Sequence, residues 1–177
     1  MLTRTQFFFL RLIHYKREKL LINSIRLCTR FKIFLFQRIL RVNSGIKYSV
    51  NYTSKVSSNL EGLIIENNSI PVLASLAVSG GCYTGIHRGT VLTIKEDTIF
   101  APNVCINTGS HDFFDRSQHT LGDIIIGKNC WLAFGVTVTS GVILGDNVTV
   151  GANSVVTKSF KSNFVIGGVP AKELKNF

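Results

Sequence analysis

Apolar residues recur at every sixth position from Ile126 onward: Ile126, Leu132, Val138, Leu144, Val150 and Val156. The position after each is small (Gly127, Ala133, Thr139, Gly145, Gly151, Thr157), and the fifth position reads Cys130, Val136, Val142, Val148, Ser154, Phe160. The same spacing extends upstream through Ile64, Ile70, Leu76, Cys82, Arg88, Ile94, Phe100 and Ile106. Over both runs 12 of 14 first positions are aliphatic or Phe, where composition alone would give about six. A helix does not produce this set, because six residues rotate an α-helix by about 600° and scatter the side chains around it. A plain strand wants strict alternation, although the β-branched content and the Gly-Asp-Asn and Gly-Lys-Asn turns favour strands. A solenoid reconciles these features. Each hexad is one short strand plus a turn, and three hexads make a triangular coil of about 18 residues. The first position points into the prism, the small second position fits the corner, and coils stack at about 4.8 Å.

The ladder breaks once. Ile106 and Ile126 are 20 residues apart, not a multiple of six, so an excursion leaves the coil between His111 and about Asp123. A polar, aromatic excursion from a rigid scaffold is where function concentrates. The organisation expected is therefore a basic amphipathic helical segment at 1–45, a linker or irregular first coil at 46–62, and a β-solenoid at 63–177 with its excursion at about 111–123.

Charge sharpens that division. The net charge of +10 resembles a nucleic-acid signal, but residues 1–55 hold 12 Lys/Arg and one acid, Glu18, whereas residues 56–177 hold 8 Lys/Arg and 9 Asp/Glu. The basic excess belongs wholly to the N-terminal segment. Within residues 7–42, Leu20, Leu27, Phe31, Phe34 and Leu35 share a helical face, with Arg26, Arg30 and Arg41 near its borders. That face suits two roles: capping the open end of the solenoid or joining subunits, or lying on an anionic membrane as a peripheral contact. No nucleic-acid motif accompanies the charge. The four cysteines (Cys28, Cys82, Cys105, Cys130) form no Cys-x-x-Cys pair, which favours free thiols. Arg11 interrupts the Phe7–Leu10 run before a signal-peptide core forms, so a cytoplasmic location is expected and the Asn-x-Ser/Thr sites at Asn51, Asn67 and Asn147 are incidental.

The segment from Ile94 to Lys172 resembles the hexapeptide-repeat acyltransferases, in particular the branch that O-acetylates sugars and polysaccharides. The resemblance is carried by Ile106-Asn-Thr-Gly-Ser-His111-Asp112, by Ile124-Ile-Ile-Gly-Lys-Asn-Cys-Trp131-Leu-Ala, by Val142 through Lys158, and by Val165-Ile-Gly-Gly-Val-Pro170-Ala171-Lys172. It implies an all-β, left-handed parallel β-helix, a homotrimer with active sites in clefts between subunits, acetyl-CoA as co-substrate, no metal, and His111 at the catalytic position. The reaction needs a sugar hydroxyl to attack a thioester carbonyl. An alcohol is a poor nucleophile at neutral pH, so a base must take its proton, and a histidine, with an unperturbed pKa of about 6.5, suits that task. Direct transfer is expected, since no Gly-x-Ser-x-Gly elbow is present.

Asp112, His119 and Trp131 are candidates for the acceptor side. Backbone N–H groups near Ala133 and Gly135 are expected to face the oxyanion, and the pantetheine arm to pass Ala133, Gly151 and Ala152. Lys158, Lys172 or Lys175 would meet the nucleotide phosphates, and Pro170-Ala171 resembles the family's cofactor-binding turn. His87 and His14 are expected to be structural or surface residues. Serine O-acetyltransferase is the nearest enzymatic rival, though its helical segment is longer. A zinc hydratase of the γ-carbonic-anhydrase type needs three metal-binding histidines, which the spacings of 24 (His87 to His111) and 8 (His111 to His119) do not reproduce. A non-catalytic trimeric scaffold with a membrane- or nucleic-acid-binding basic arm is the remaining class.

Overall fold

The computed structural model describes residues 26–56 and 60–177. Residues 7–25 of the basic segment, with His14 and Leu20, lie outside the described residues. From residue 55 onward the chain winds through three sheets of stacked short strands. The first holds β1 (Lys55–Val56), β3 (Tyr83–Gly85), β6 (Cys105–Asn107), β11 (Thr137–Val138) and β14 (Val155–Val156). The second holds β2 (Leu63–Ile65), β4 (Leu92–Ile94), β9 (Ile124–Ile126) and β12 (Ile143–Leu144). The third holds β5 (Ile99–Phe100), β10 (Trp131–Leu132), β13 (Thr149–Val150), β15 (Phe164–Gly167) and β16 (Lys172–Asn176). All pairings within the stack are parallel until β16 folds back antiparallel on β15.

The register explains the period. Ile126 pairs with Leu144, Leu132 with Val150 and Val138 with Val156, each offset 18 residues. These side chains are at most 1% exposed and fill the prism. One coil earlier, Ile94 pairs with Ile126, Phe100 with Leu132 and Ile106 with Val138. These offsets are 32 residues, so the excursion adds 14 to one coil. At the corners Asn129, Asn147 and Asn163 adopt φ of 50°, 57° and 68°, a left-handed conformation that asparagine tolerates better than most residues. Their amides form a ladder of 2.9 and 2.8 Å hydrogen bonds up the edge.

The upstream register departs from the expected one. Leu63 and Ile65 point inward, and Ile64 is 48% exposed. Ile70 is likewise exposed, because Ile70–Val78 forms an α-helix rather than a strand. Pro71 in its first turn and the Leu/Ala-rich sequence after it favour that helix. It replaces the first strand of the third sheet: Phe100 N–H donates to Ser75 Oγ (3.1 Å), and Ser79 Oγ–H donates to Phe100 O (2.7 Å). Cys82 is buried in the core, and Arg88 lies in an exposed turn.

Preceding this, a helix at Leu27–Phe34 runs into a π turn at Leu35–Ile39. Its buried side chains are Ile33, Phe34 and, in the π turn, Gln37; Leu27 and Phe31 of the expected apolar face are exposed. Gln37 decides the orientation. Its amide donates to Asn43 O and Tyr48 O and accepts from Val50 N–H, all at 3.2–3.3 Å. The helix is thereby tied to the chain that enters the first coil. Among the described residues, no helix is long and apolar enough to cross a membrane.

Candidate active site

The excursion is a β-hairpin of β7 (Gly109–His111) and β8 (His119–Leu121), paired antiparallel with His111 opposite His119. It leaves the prism at the corner between the first and second sheets. Thr108, fully buried, anchors its base: its hydroxyl bonds Thr90 Oγ1 and donates to Gly85 O, and it accepts from His87 N–H (2.9 Å). Gly109 lets the hairpin pack closely, since a Cβ there would meet the His87 ring at 2.6 Å and the Leu121 side chain at 2.8 Å.

The tip is closed by two carboxylates. Asp112 Oδ1 accepts from Phe114 N–H (2.8 Å) and Asp115 N–H (3.0 Å), and Asp115 Oδ1 accepts from Ser117 N–H (2.9 Å) and its hydroxyl (2.6 Å). Hydrogen bonds to the charged forms hold both carboxyls below their ordinary range, through Asp115 and Phe114 amides for Asp112 and through Ser117 for Asp115. Asp112 is thus a tip-forming residue rather than the imidazole's partner. That partner is the Arg116 carbonyl, 2.8 Å from His111 Nδ1. A carbonyl only accepts, so Nδ1 carries the hydrogen and Nε2 keeps a free lone pair in the neutral ring. His119 stacks on the other side, with ring centroids 4.6 Å apart.

His87, expected to be structural or at the surface, packs beneath the hairpin with its ring centroid 6.1 Å from that of His119. Three imidazoles therefore gather, yet among the described residues no group of three His, Cys, Asp or Glu is placed to hold a metal ion. Phe113 and Phe114 stand exposed at the tip, edge to face at 5.2 Å.

The remaining expected residues fall on known edges of the prism. Ala133, Gly135, Gly151 and Ala152 line the turns that enter the first sheet. Lys158 follows β14 where that sheet ends, and the Gly168–Ala171 turn is bonded to β14 through Val155 N–H to Gly168 O (3.0 Å) and Ala171 N–H to Val155 O (2.8 Å). The first sheet thus has the histidine hairpin on one edge and the small-residue turns on the other. Lys172 and Lys175 are exposed on β16. Of the backbone groups at the expected oxyanion position, Ala133 N–H donates to Val150 O (3.0 Å) and Gly135 N–H to Pro102 O (3.1 Å). Trp131 is not brought to His111 within the chain. It projects from the third sheet, in an outward column with Ile99, Thr149 and Val165.

Stacked hexads interrupted by a histidine-bearing hairpin define a hexapeptide-repeat protein with one candidate site. Residues 123–158 match the family model described as bacterial transferase hexapeptide (six repeats). Over 163 residues the chain is 33% identical to Escherichia coli (strain K12) WbbJ, provisionally named a lipopolysaccharide biosynthesis O-acetyl transferase, covering 82% of this chain and 79% of that protein. It is 37% identical over 99 residues to the galactoside O-acetyltransferase of Lactococcus lactis subsp. lactis (strain IL1403), and spans 48% of that relative. The hexapeptide-repeat acetyltransferase VCA0836 of Vibrio cholerae O1 biovar eltor, solved in complex with acetyl coenzyme A, superposes with a TM-score of 0.58 at 20% identity over 83% of each chain, a likeness of fold. The chain belongs to the hexapeptide-repeat acetyltransferase family, beside relatives named for sugar and polysaccharide O-acetylation, and it is an enzyme of that class.

Proposed function

We propose that the chain transfers an acetyl group from acetyl-CoA to a hydroxyl of a sugar or cell-surface polysaccharide precursor, with His111 as general base. The observation that carries this reading is the hydrogen bond from His111 Nδ1 to the Arg116 carbonyl. It fixes one tautomer and leaves Nε2 to accept the proton of the attacking hydroxyl. The hydroxyl oxygen bonds the thioester carbonyl carbon while its proton moves to Nε2. The tetrahedral species then collapses, the C–S bond breaks, and the imidazolium returns the proton to the departing thiolate.

The donor suits the entry edge of the first sheet. Small residues there, Gly151 among them, leave the backbone open to a pantetheine arm: a Cβ at Gly151 would meet nothing closer than 3.5 Å. Lys158 and Lys172 would supply charge for the nucleotide phosphates. The assembly we propose is a homotrimer of left-handed coils, in which the apolar column bearing Trp131 on one subunit faces the histidine hairpin of the next. Four free cysteines, two of them buried, fit a reducing cytoplasm. Serine O-acetylation has no specific support in the site.

His111→Ala should lower turnover with acetyl-CoA and a responsive glycoside by about 10²–10⁴-fold while the chain stays folded. Near-normal turnover would refute the assignment, and serine accepted in preference to every glycoside would replace the acceptor class.

A further inference from the structure

The basic excess of residues 1–55 plays no part in the transfer chemistry, yet part of it lines a formed pocket. Where the chain enters the first coil, a cavity of about 690 Å³ opens among residues 41–46, 52–56 and Tyr83. Two cations, Arg41 and Lys55, line it, with the Tyr52 and Tyr83 rings and with hydroxyl and amide groups. Among the described residues no carboxylate lines it. A third cation, Lys32, sits at its rim, 5.0 Å from the Tyr52 ring centroid and 3.5 Å from its hydroxyl. Among the described residues the ion pairs gather on Lys128, with Glu66 and Glu96. Among the described residues no acid forms an ion pair with Arg41 or Lys55.

The pocket is built rather than incidental. Arg41 and Asn43 adopt φ of 60° and 56°, the left-handed region that few residues other than glycine and asparagine enter. Asn43 then staples the wall to the floor in both directions: its Nδ2 donates to Ser54 O (2.7 Å), and its Oδ1 accepts from Val56 N–H (3.0 Å). The pocket also leads toward the catalytic hairpin. Tyr83 lies beside Lys55 in the outward column of the first sheet and leans over Gly85, where a Cβ would meet the ring at 3.0 Å and Asn107 Oδ1 at 2.5 Å. Asn107 is two residues from the start of β7, and its Oδ1 is buried without a partner. A saccharide spanning one or two rungs, each about 4.8 Å, would reach from the pocket to the hairpin base.

We infer that this pocket is an acceptor subsite for an anionic group carried by a sugar, with Arg41 and Lys55 binding the charge and Tyr52 and Tyr83 bearing on the ring. The inference rests on the proposed saccharide O-acetylation. The anion has two sources, a carboxylate on a glycan unit or the phosphate of a glycosyl carrier, and matched acceptors separate them: a neutral oligosaccharide, its uronic-acid counterpart, and the same glycan as a diphosphate.

The test compares the full chain with Arg41→Gln/Lys55→Gln. The wild type should use one anionic acceptor at least tenfold better than the neutral one by kcat/KM, with a preference that falls as salt rises. The double variant should lose about tenfold on that acceptor and remain unchanged on the neutral one. Equal use of neutral and anionic acceptors by the wild type, or an undiminished preference in the variant, would overturn the subsite. So would binding to anionic phospholipid vesicles that the substitutions abolish while no saccharide preference exists, since the cations then face a membrane. Calorimetric binding to His111→Ala without donor keeps the two readings apart. If no saccharide is acetylated but anionic ones still bind through Arg41 and Lys55, the O-acetylation falls and the subsite stands.

Discussion

Replacing Gly127 by alanine tests the geometry on which the solenoid depends. A Cβ at Gly127 would lie 2.4 Å from Gly145 O, 2.5 Å from Gly145 C and 2.7 Å from Asp146 N, all backbone atoms of the next coil. Those separations are about 1 Å short of ordinary contact, and backbone on the next rung has no rotamer with which to move aside. Relief must open the corner, where Gly127 N–H donates to Leu144 O (2.9 Å), Lys128 N–H to Asp146 Oδ1 (2.8 Å) and Asn147 N–H to Lys128 O (2.8 Å). Overpacking costs about 1–3 kcal/mol, and each weakened bond about 1 kcal/mol, so with partial relaxation the loss is about 3–5 kcal/mol. Gly141 is the control. It has φ of 78° with nothing within 4 Å of its Cβ position, so Gly141→Ala costs the left-handed conformation alone, about 1–2 kcal/mol. Urea unfolding at fixed protein concentration, followed by circular dichroism, should place the Gly127→Ala midpoint well below that of Gly141→Ala. Thermal midpoints should fall by about 6–20 °C and 2–8 °C respectively. Equal losses, or a costlier Gly141→Ala, would refute the claim that the small second position exists to let coils touch.

The Asp112 carboxyl titrates below its ordinary value of 3.8 because backbone amides bond its charged form. Its contribution to the hairpin tip is therefore full above that value and lost as pH falls through the lower native one; the Phe114 and Asp115 amide resonances should hold steady at pH 5 and shift only below about 3.8, and an earlier shift would contradict the tip geometry. Burial raises the Cys82 and Cys130 thiols, whereas Cys28 is exposed, so mass spectrometry after brief alkylation of the native protein at pH 8 should find Cys28 modified first and Cys82 and Cys130 only on unfolding. The proposed trimer places His111 and Trp131 of one site on different subunits. Mixed assemblies of inactive His111→Ala and Trp131→Ala chains should then recover activity that neither has alone, and failure to complement would put each site within one chain.

How far the sequence carries depends on how strictly each position is constrained. From Ile94 onward each sixth side chain is enclosed by the coil above and below, so polar substitutes are penalised and the period is clean. Upstream the same count succeeds for the wrong reason. Ile70 and Leu76 satisfy the spacing, but they sit in a helix so rich in apolar residues that any period collects hits, and the telling signals were Pro71 at its start and the Leu/Ala-rich run after it. At Ile64 three consecutive apolar residues, Leu63-Ile64-Ile65, leave the register open by one, and only pairing with Leu92 and Ile94 settles it. The helix before the coil misled in the same manner: an apolar face drawn through Leu27 and Phe31 ignores Gln37, whose three backbone hydrogen bonds set the rotation.

The site divides along a similar line. The place of His111 on the excursion was legible because the broken period marked where the chain leaves the prism. Its orienting group was not, because a backbone carbonyl carries no side-chain signature: Arg116 supplies an oxygen that any residue would supply. What the sequence does specify is the closure that brings that oxygen into place, through Asp112 and Asp115, each accepting from amides two or three residues on. The two carboxylates therefore act on the imidazole at one remove. Removing either should loosen His111 without touching it, whereas exchanging Arg116 for another non-proline residue should leave the tautomer intact.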